Sequence, residues 1–369
     1  MKLLKNKILL ITSEFPPKPG GIGNHAFHLA SSLKKRGFRI QIITDQRLDD
    51  IQQEKIFDAS HEIFVKRVKI TQLRFFMYLS RIAAILRHIR NNETIIASGK
   101  FSLWSVAFAS FFFKNKKYIA VIHGSEVNLQ NTFLRGLINS SLQRFNKIIA
   151  VSNFTKSFLD KEVQVPIEVI PNGFEIEDVK VDVFYDTDEV YPKLITVGNV
   201  TKRKGQLNVI KALPQLIHSY PSIMYRIVGT PSEKDLLLNV ARQLKVEKHI
   251  KFFGTVSQNK KHQLLKTSDI FVMLSENLKN GDVEGFGIAL LEANALGIPS
   301  IGASKCGIDD AIDNYSSGIV VDNNNPKAIE NAVQTILNSY SDYSNNAITW
   351  SHNFTWDIII NQYIKILKS

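Results

Sequence analysis

The chain has 369 residues, 44% hydrophobic and 22% charged, which is too long for one typical domain, comfortable for two packed cores, and unlike a disordered or collagen-like polymer. Its single cysteine, Cys306, excludes an intrachain disulfide and a cysteine-built zinc site. The net charge of +12 is uneven: residues 1–170 hold 26 Lys and Arg against 12 Asp and Glu, the remainder 20 against 22, so the first half is expected to meet an anionic partner, nucleic acid or a membrane surface.

Lysines followed by an apolar run open the chain and mimic a secretory leader. The run 8–11 is too short for one, and Glu14 and two prolines follow, so we read it as a first β-strand. Further strands are predicted at 40–44, 63–65, 95–97, 119–122, 148–151 and 167–170. Segments of helical length and period lie between them, such as 26–35. Segment 71–90 reads as a basic amphipathic helix: Arg74, Arg81 and His88 recur every seven residues, and Phe75, Ile82 and Ile89 follow one position on. Its arginines are expected to face outward, whether the helix lies on a membrane or packs on a sheet. The longest uncharged stretch, 101–113, is shorter than the roughly 20 residues of a spanning helix, so a soluble, cytoplasmic protein is expected.

Segment 175–189 is acidic and aperiodic, and it reads as an interdomain linker. The strands predicted after it are 194–197, 226–228, 251–253, 270–274, 299–301 and 319–321, with helices such as 208–217 between them. Strands alternating with helices imply parallel sheets covered on both faces. The expected fold is α/β, with two Rossmann-like domains, 1–174 and 190–345, facing each other across a cleft where their strand carboxyl ends meet.

Four constellations carry chemistry. Gly20-Gly21-Ile22-Gly23 follows the first strand and opens a helix, where glycines let a ligand approach backbone and a helix start favours anions. It lacks the GxGxxG spacing of a nicotinamide turn and reads equally as a tight strand–helix connection. His123-Gly124-Ser125-Glu126 ends the strand 119–122; a histidine there points toward the ligand crevice, or is simply structural. Gly198-Asn199-Val200-Thr201-Lys202-Arg203-Lys204-Gly205 sets three bases in a strand–helix loop, either a pyrophosphate clamp or a solvated charge run. The most specific is Glu284-Gly285-Phe286-Gly287-Ile288-Ala289-Leu290-Leu291-Glu292. Two glycines make a tight turn, the following helix offers free amides to a phosphate, and Glu292 one turn in can accept from ribose hydroxyls.

Together these stretches resemble retaining glycosyltransferase family 4, which has the GT-B fold. The seven residues between Glu284 and Glu292 match that family's signature. Gly281 to Ile288 is especially similar to the branch containing lipid-directed mannosyltransferases. Ile170-Pro171-Asn172-Gly173 matches the family's hinge segment, and Phe354-Thr355-Trp356 the entry to a last helix, 346–369, that crosses back onto the first domain. The resemblance implies that Lys204 contacts the donor pyrophosphate, with Arg203 assisting, and that Glu292 binds the donor ribose. It also implies that Glu284 and the backbone of Gly285, Phe286, Gly287 and Ile288 hold the transferred sugar, that His123 sits by that sugar, and that Gly21 approaches the phosphate. Three positions depart from the family pattern: Asn199 where arginine is common, Phe38 where histidine is common, and Asp310 where glutamate is common. The first removes one cation from the phosphate clamp.

The activity so implied is retaining transfer of a hexose-type sugar from a GDP- or UDP-sugar to a glycan or lipid-linked acceptor, in cell-surface polysaccharide or glycolipid synthesis. Cations and helix amides would stabilise the leaving diphosphate, so no cofactor and no metal are expected. No carboxylate pair resembling a metal-binding DxD motif stands out: Asp49-Asp50 and Asp309-Asp310 are adjacent pairs, and Asp182, Asp186 and Asp188 lie in the linker, so all carry little weight as ligands. An anionic membrane is the expected further partner and nucleic acid is not, because a basic nucleic-acid binder would not need the glutamate-and-glycine turn. A nucleotide-sugar epimerase of the same fold is the rival enzyme, and a nicotinamide dehydrogenase is disfavoured for want of GxGxxG.

Overall fold

The computed structural model describes residues 7–48, 50–70, 74–159, 163–176 and 190–369. The chain divides into two compact units, one of residues 1–173 with 356–369 and the other of 174–355. Most of the expected linker, 177–189, lies outside the described residues, as do Asp49 and the start of segment 71–90.

The first unit is a seven-stranded sheet of β1 (Lys7–Thr12), β2 (Arg39–Asp45), β3 (Phe64–Val68), β4 (Thr94–Ser98), β5 (Lys117–Ile122), β6 (Lys147–Ala150) and β7 (Ile167–Val169), in the order β3-β2-β1-β4-β5-β6-β7. Every pairing is parallel. The interior strands are buried on both faces, which is why 8–12, 95–97 and 119–122 read as unbroken apolar runs rather than alternations. The helices between them are α1 (Gly21–Lys35), α2 (Ile51–Ser60), α3 (Arg74–Ile89), α4 (Lys100–Ser110), α5 (Thr132–Leu142) and α6 (Asn153–Ser157).

The second unit is a six-stranded parallel sheet of β8 (Lys193–Val197), β9 (Met224–Val228), β10 (Ile250–Gly254), β11 (Ile270–Met273), β12 (Ser300–Ala303) and β13 (Gly318–Val321), in the order β10-β9-β8-β11-β12-β13. Its helices are α7 (Gln206–Ser219), α8 (Lys234–Gln243), α9 (Gln258–Lys266), α10 (Ile288–Ala295), α11 (Pro326–Asn338) and α12 (Tyr340–His352). Each sheet carries its own apolar core.

The last helix, α13 (Trp356–Lys368), belongs to the first unit. It buries Trp356, Ile359, Ile360, Tyr363 and Ile366 and packs against α1. Helix α12, which shares the expected 346–369 segment, stays with the second unit. Among the described residues no helix is long and apolar enough to cross a membrane.

One expectation fails. Arg81 of α3 does not face outward; it is 8% exposed. Its Nε donates to Asp45 Oδ1 at 2.6 Å, its Nη2 donates to Oδ2, and the guanidinium lies 4.4 Å from the Phe101 ring. Asp45 ends β2 inside the fold, where burial pushes its carboxyl pKa up and the Arg81 charge pulls it back. A buried carboxylate needs such a partner, and that requirement outweighs the helical stripe. Among the described residues, the outward ones of α3 are Phe76, Tyr78, Leu79, Ser80, Ala83 and Arg87.

Candidate active site

In a doubly wound sheet, ligands bind outside the strand carboxyl ends where the strand order reverses. In the second unit that point lies between β8 and β11. The loops leaving these two strands are 198–205, which the sequence singles out, and 274–287, which ends in the first four residues of the Glu284–Glu292 stretch.

Local sterics fix both loops. Gly205 has φ +74° and starts α7; a Cβ there would lie 1.8 Å from Leu274 O at the end of β11. Glycine is therefore required, and it presses the 3₁₀ turn Lys202–Lys204 onto the neighbouring strand. The turn before α10 is held in the same way: Gly287 has φ +93° at the N-cap, Gly307 N–H donates to Glu284 O at 2.9 Å, and a Cβ on Gly307 would meet Gly285 O at 2.1 Å. Phe286 is 1% exposed and packs on Phe354 with ring centroids 5.6 Å apart. Its side chain anchors the turn from behind, so only its backbone is offered to a ligand.

These constraints place Glu284 against both cations. Lys204 Nζ is 2.7 Å from Glu284 Oε2, Arg203 Nη1 donates to the same oxygen, and Arg203 Nε is 3.2 Å from Asp282 Oδ2. Burial pushes the Glu284 carboxyl pKa up, but the Lys204 and Arg203 charges and hydrogen bonds outweigh it, and the net shift is downward. Glu284 is an anion at neutral pH.

Glu292 lies in α10 beside a shallow hollow that is open to solvent and lined by Phe174, Ile176, Lys261, His262 and Leu296. Lys261 Nζ donates to Glu292 Oε2 at 2.9 Å. The first amides of α10 have no intrahelical partner, as in any helix. Ile288 is its first residue.

In the first unit the strand order reverses between β1 and β4. Gly23 is tightly packed, since a Cβ would lie 3.1 Å from the Glu14 backbone, whereas at Gly20 a Cβ would meet only the end of the Glu14 side chain, which can turn away. Gly21 is exposed with nothing within 4 Å of a built Cβ, so packing does not require glycine there. His123 follows β5. Its Nε2 is 3.0 Å from Ser98 Oγ, its ring meets His25 edge-on at 4.9 Å, and its backbone N–H donates to Glu126 Oε1. Burial pushes the His123 pKa down to about 4, so the ring is neutral at pH 7.

The geometry adds His25 and Lys261 to the residues named from sequence and gives Glu126 a place beside His123. His25 is buried, and its Nε2 is 3.0 Å from Tyr363 OH on α13. Glu126 is buried with Oε2 unpartnered, and Lys261 pairs with Glu292. His25 had one signal: a polar residue on the face of α1 that buries Ala26, Leu29 and Leu33. Of the carboxylates considered as metal ligands, Asp50 caps α2 and Asp309 accepts from Lys305 N–H, while Asp49, Asp182, Asp186 and Asp188 lie outside the described residues. Among the described residues no group of three or more His, Cys, Asp or Glu side chains could hold a metal ion.

Two family models match the chain: Glycosyltransferase Family 4 over residues 19–178 and Glycosyl transferases group 1 over residues 182–350. The chain belongs to glycosyltransferase family 4. It is 23% identical over 383 residues to the GDP-mannose-dependent monoacylated alpha-(1-6)-phosphatidylinositol monomannoside mannosyltransferase of Corynebacterium glutamicum, with 98% of each covered. The fold of this glycosyltransferase is similar to that of a glycosyltransferase from Rickettsia africae, at TM-score 0.80 and 22% identity over 99% of this chain and 98% of that one. It is likewise similar to Anabaena HepE in complex with UDP-glucose, at TM-score 0.77 and 20% identity over 98% of this chain and 99% of that one.

Proposed function

We propose that this glycosyltransferase moves a hexose-type sugar from a GDP- or UDP-sugar, with retention of anomeric configuration, to a glycan or lipid-linked acceptor in cell-surface polysaccharide or glycolipid assembly. The observation that carries the donor reading is the cluster of buried Glu284 with half-buried Arg203 and Lys204 at the β8/β11 switch point, with Glu284 shortly before the N-terminus of α10. Lys204, Arg203 and the α10 amides take the diphosphate, and these fixed positive groups stabilise the leaving group as the glycosidic bond breaks. Glu292 accepts from the ribose hydroxyls. Glu284, with the backbone of residues 285–287, takes the hydroxyls of the transferred sugar. His123, neutral and fixed by Ser98, hydrogen-bonds that sugar, and Gly21 offers backbone to the phosphate. In this reading the cations do the work a metal would do.

The relative that uses GDP-mannose on a phosphatidylinositol mannoside supports a lipid-linked acceptor, and the HepE complex supports a UDP-sugar as the other donor class. A lipid-linked acceptor places the enzyme on the cytoplasmic face of a membrane, docked through its basic first unit.

A panel of UDP-, GDP- and ADP-sugars, screened by thermal shift and then assayed with and without EDTA, tests this. One nucleotide class should raise the melting temperature, and transfer to acceptor with retained configuration should persist in EDTA. Loss of transfer in EDTA with recovery on magnesium or manganese would overturn the metal-independent reading, and an inverted product would overturn retention.

A further inference from the structure

The two residues best placed to hold a diphosphate are already bound to a carboxylate. Arg203 and Lys204 converge on a single oxygen of Glu284, and Arg203 also reaches Asp282. Glycine sterics fix the backbone from which these side chains reach one another: Gly205 pins the turn that carries both cations, and Gly307 pins the backbone of Glu284. The Lys204 stem also lies along Gly198, where a Cβ would come within 3.3 Å of Cε. Two cations and two carboxylates nearly cancel. A diphosphate entering this cluster meets cations whose charge is already neutralised and a buried like charge beside them.

Resting on the donor reading above, we propose that Glu284 and the donor diphosphate compete for Arg203 and Lys204, so that donor binding hands the two cations to the phosphates and frees the Glu284 carboxylate for the hydroxyls of the transferred sugar. Glu284 is then a gate as well as a sugar ligand. A nucleoside diphosphate alone must displace Glu284 without gaining its sugar contacts. A complete donor displaces it and uses the freed carboxylate as a charged acceptor. The cluster therefore favours the intact donor over the spent nucleotide, which is the preference that lets product leave.

The test is calorimetry of wild type and Glu284→Gln with UDP and GDP, and with UDP-glucose and GDP-mannose. Glutamine keeps the shape and removes the charge. A like charge within a few ångströms is worth one or more powers of ten, so the variant should bind the preferred nucleoside diphosphate about ten-fold or more tightly than wild type does. The ratio of donor to diphosphate dissociation constants should rise by a similar factor, because the sugar loses its charged acceptor. In the Lys204→Gln background the gain from Glu284→Gln should shrink, since the shared partner is gone.

Unchanged or weaker diphosphate binding by Glu284→Gln, with wild type binding normally, overturns the competition and leaves the donor site standing. Failure of wild type to bind either diphosphate overturns both. A crystal structure of wild type with UDP provides a readout that needs no variant: Lys204 Nζ should contact a phosphate oxygen and lie beyond about 4 Å from Glu284. Retention of the Glu284 contact would overturn the proposal.

Discussion

Glu126 and His123 sit three residues apart after β5 and are shifted in opposite directions. Burial pushes the Glu126 carboxyl up to about 7, backbone hydrogen bonds from His123, Glu126 and Gly124 offset part of this, and Glu14 adds to the rise. Burial takes His123 down to about 4 and His25 well below its ordinary value. The folded state therefore holds the Glu126 proton more tightly than the unfolded chain does, and this contribution is lost as pH rises from about 4.5 to about 7. It holds the histidine protons more weakly, so their contribution is lost as pH falls from about 6.5 towards about 4. The windows overlap and the slopes oppose. Glu126→Gln keeps the Oε1 acceptor for His123 N–H and removes only the titration. Between pH 6.5 and 5 the variant should lose about 1–2 kcal/mol more stability than wild type, from a slope of up to about 1.4 kcal/mol per pH unit. Urea unfolding across that range measures it; parallel pH profiles would show that Glu126 does not titrate there. None of this was legible in sequence, although His123-Gly124-Ser125-Glu126 was. Burial on the first sheet, not spacing, makes the histidine neutral and the glutamate a weak acid. The Glu284–Glu292 stretch was legible because glycine placement and helix start are local properties. Lys261 pairs with Glu292 across 31 positions, and no local pattern encodes that contact.

The strands were the clearest elements, because a parallel strand buried on both faces leaves an apolar run bounded by polar turns. Boundaries moved where the run was mixed: the strand expected at 63–65 is Phe64–Val68, whose Lys66 and Arg67 hid it. The helix within 71–90 is legible in sequence, but the inward turn of Arg81 is not, since its partner Asp45 lies 36 positions away. The corrected surface sharpens the membrane proposal. Between residues 64 and 159 the chain has fifteen Lys or Arg and only two carboxylates, Glu93 and Glu126. Helix α3 packs on α4, and α4 on α5. Outward from these helices and the turn after α4 stand Phe76, Phe108, Phe111, Phe112 and Phe133 at 57%, 47%, 58%, 64% and 76% exposure. Arg144 lies 4.1 Å from the Phe111 ring. Exposed rings bordered by arginine and lysine suit an anionic lipid surface, where each ring immersed contributes up to about 1.5–3 kcal/mol and each base about 1 kcal/mol. Wild type should co-sediment with anionic vesicles at low salt, release as salt rises, and ignore neutral vesicles. Phe111→Ser with Phe112→Ser should weaken binding about ten-fold or more with little change in melting temperature, since both rings are more than half exposed. Binding indifferent to lipid charge and salt would count against this surface.

At the scale of the molecule the chain does not end in the unit where its second half folds. Helix α13 returns to the first unit, and its contacts there are substantial. Trp356 is 3% exposed, lies against Gly173, where a Cβ would meet its ring at 2.7 Å, and faces the rings of His25 and His28. Tyr363 binds His25, and Lys117 Nζ at the start of β5 donates to Ile366 O and Leu367 O, occupying carbonyls that a helix end leaves open. The first unit is thus closed by the last fourteen residues of the chain, and its stability depends on a segment synthesised after the whole second unit. Trp356→Ala removes a buried aromatic side chain, a change worth about 3–5 kcal/mol where the site cannot collapse. The loss should be local. Native-state hydrogen exchange should show the amides of β1, β4, β5 and α1 opening faster by about two powers of ten or more, while β8, β9 and β11 keep wild-type protection. Equal loss of protection in both sheets would mean that the two units unfold as one and that α13 does not belong energetically to the first alone. Unchanged protection everywhere would mean that the tryptophan contacts contribute nothing to holding it.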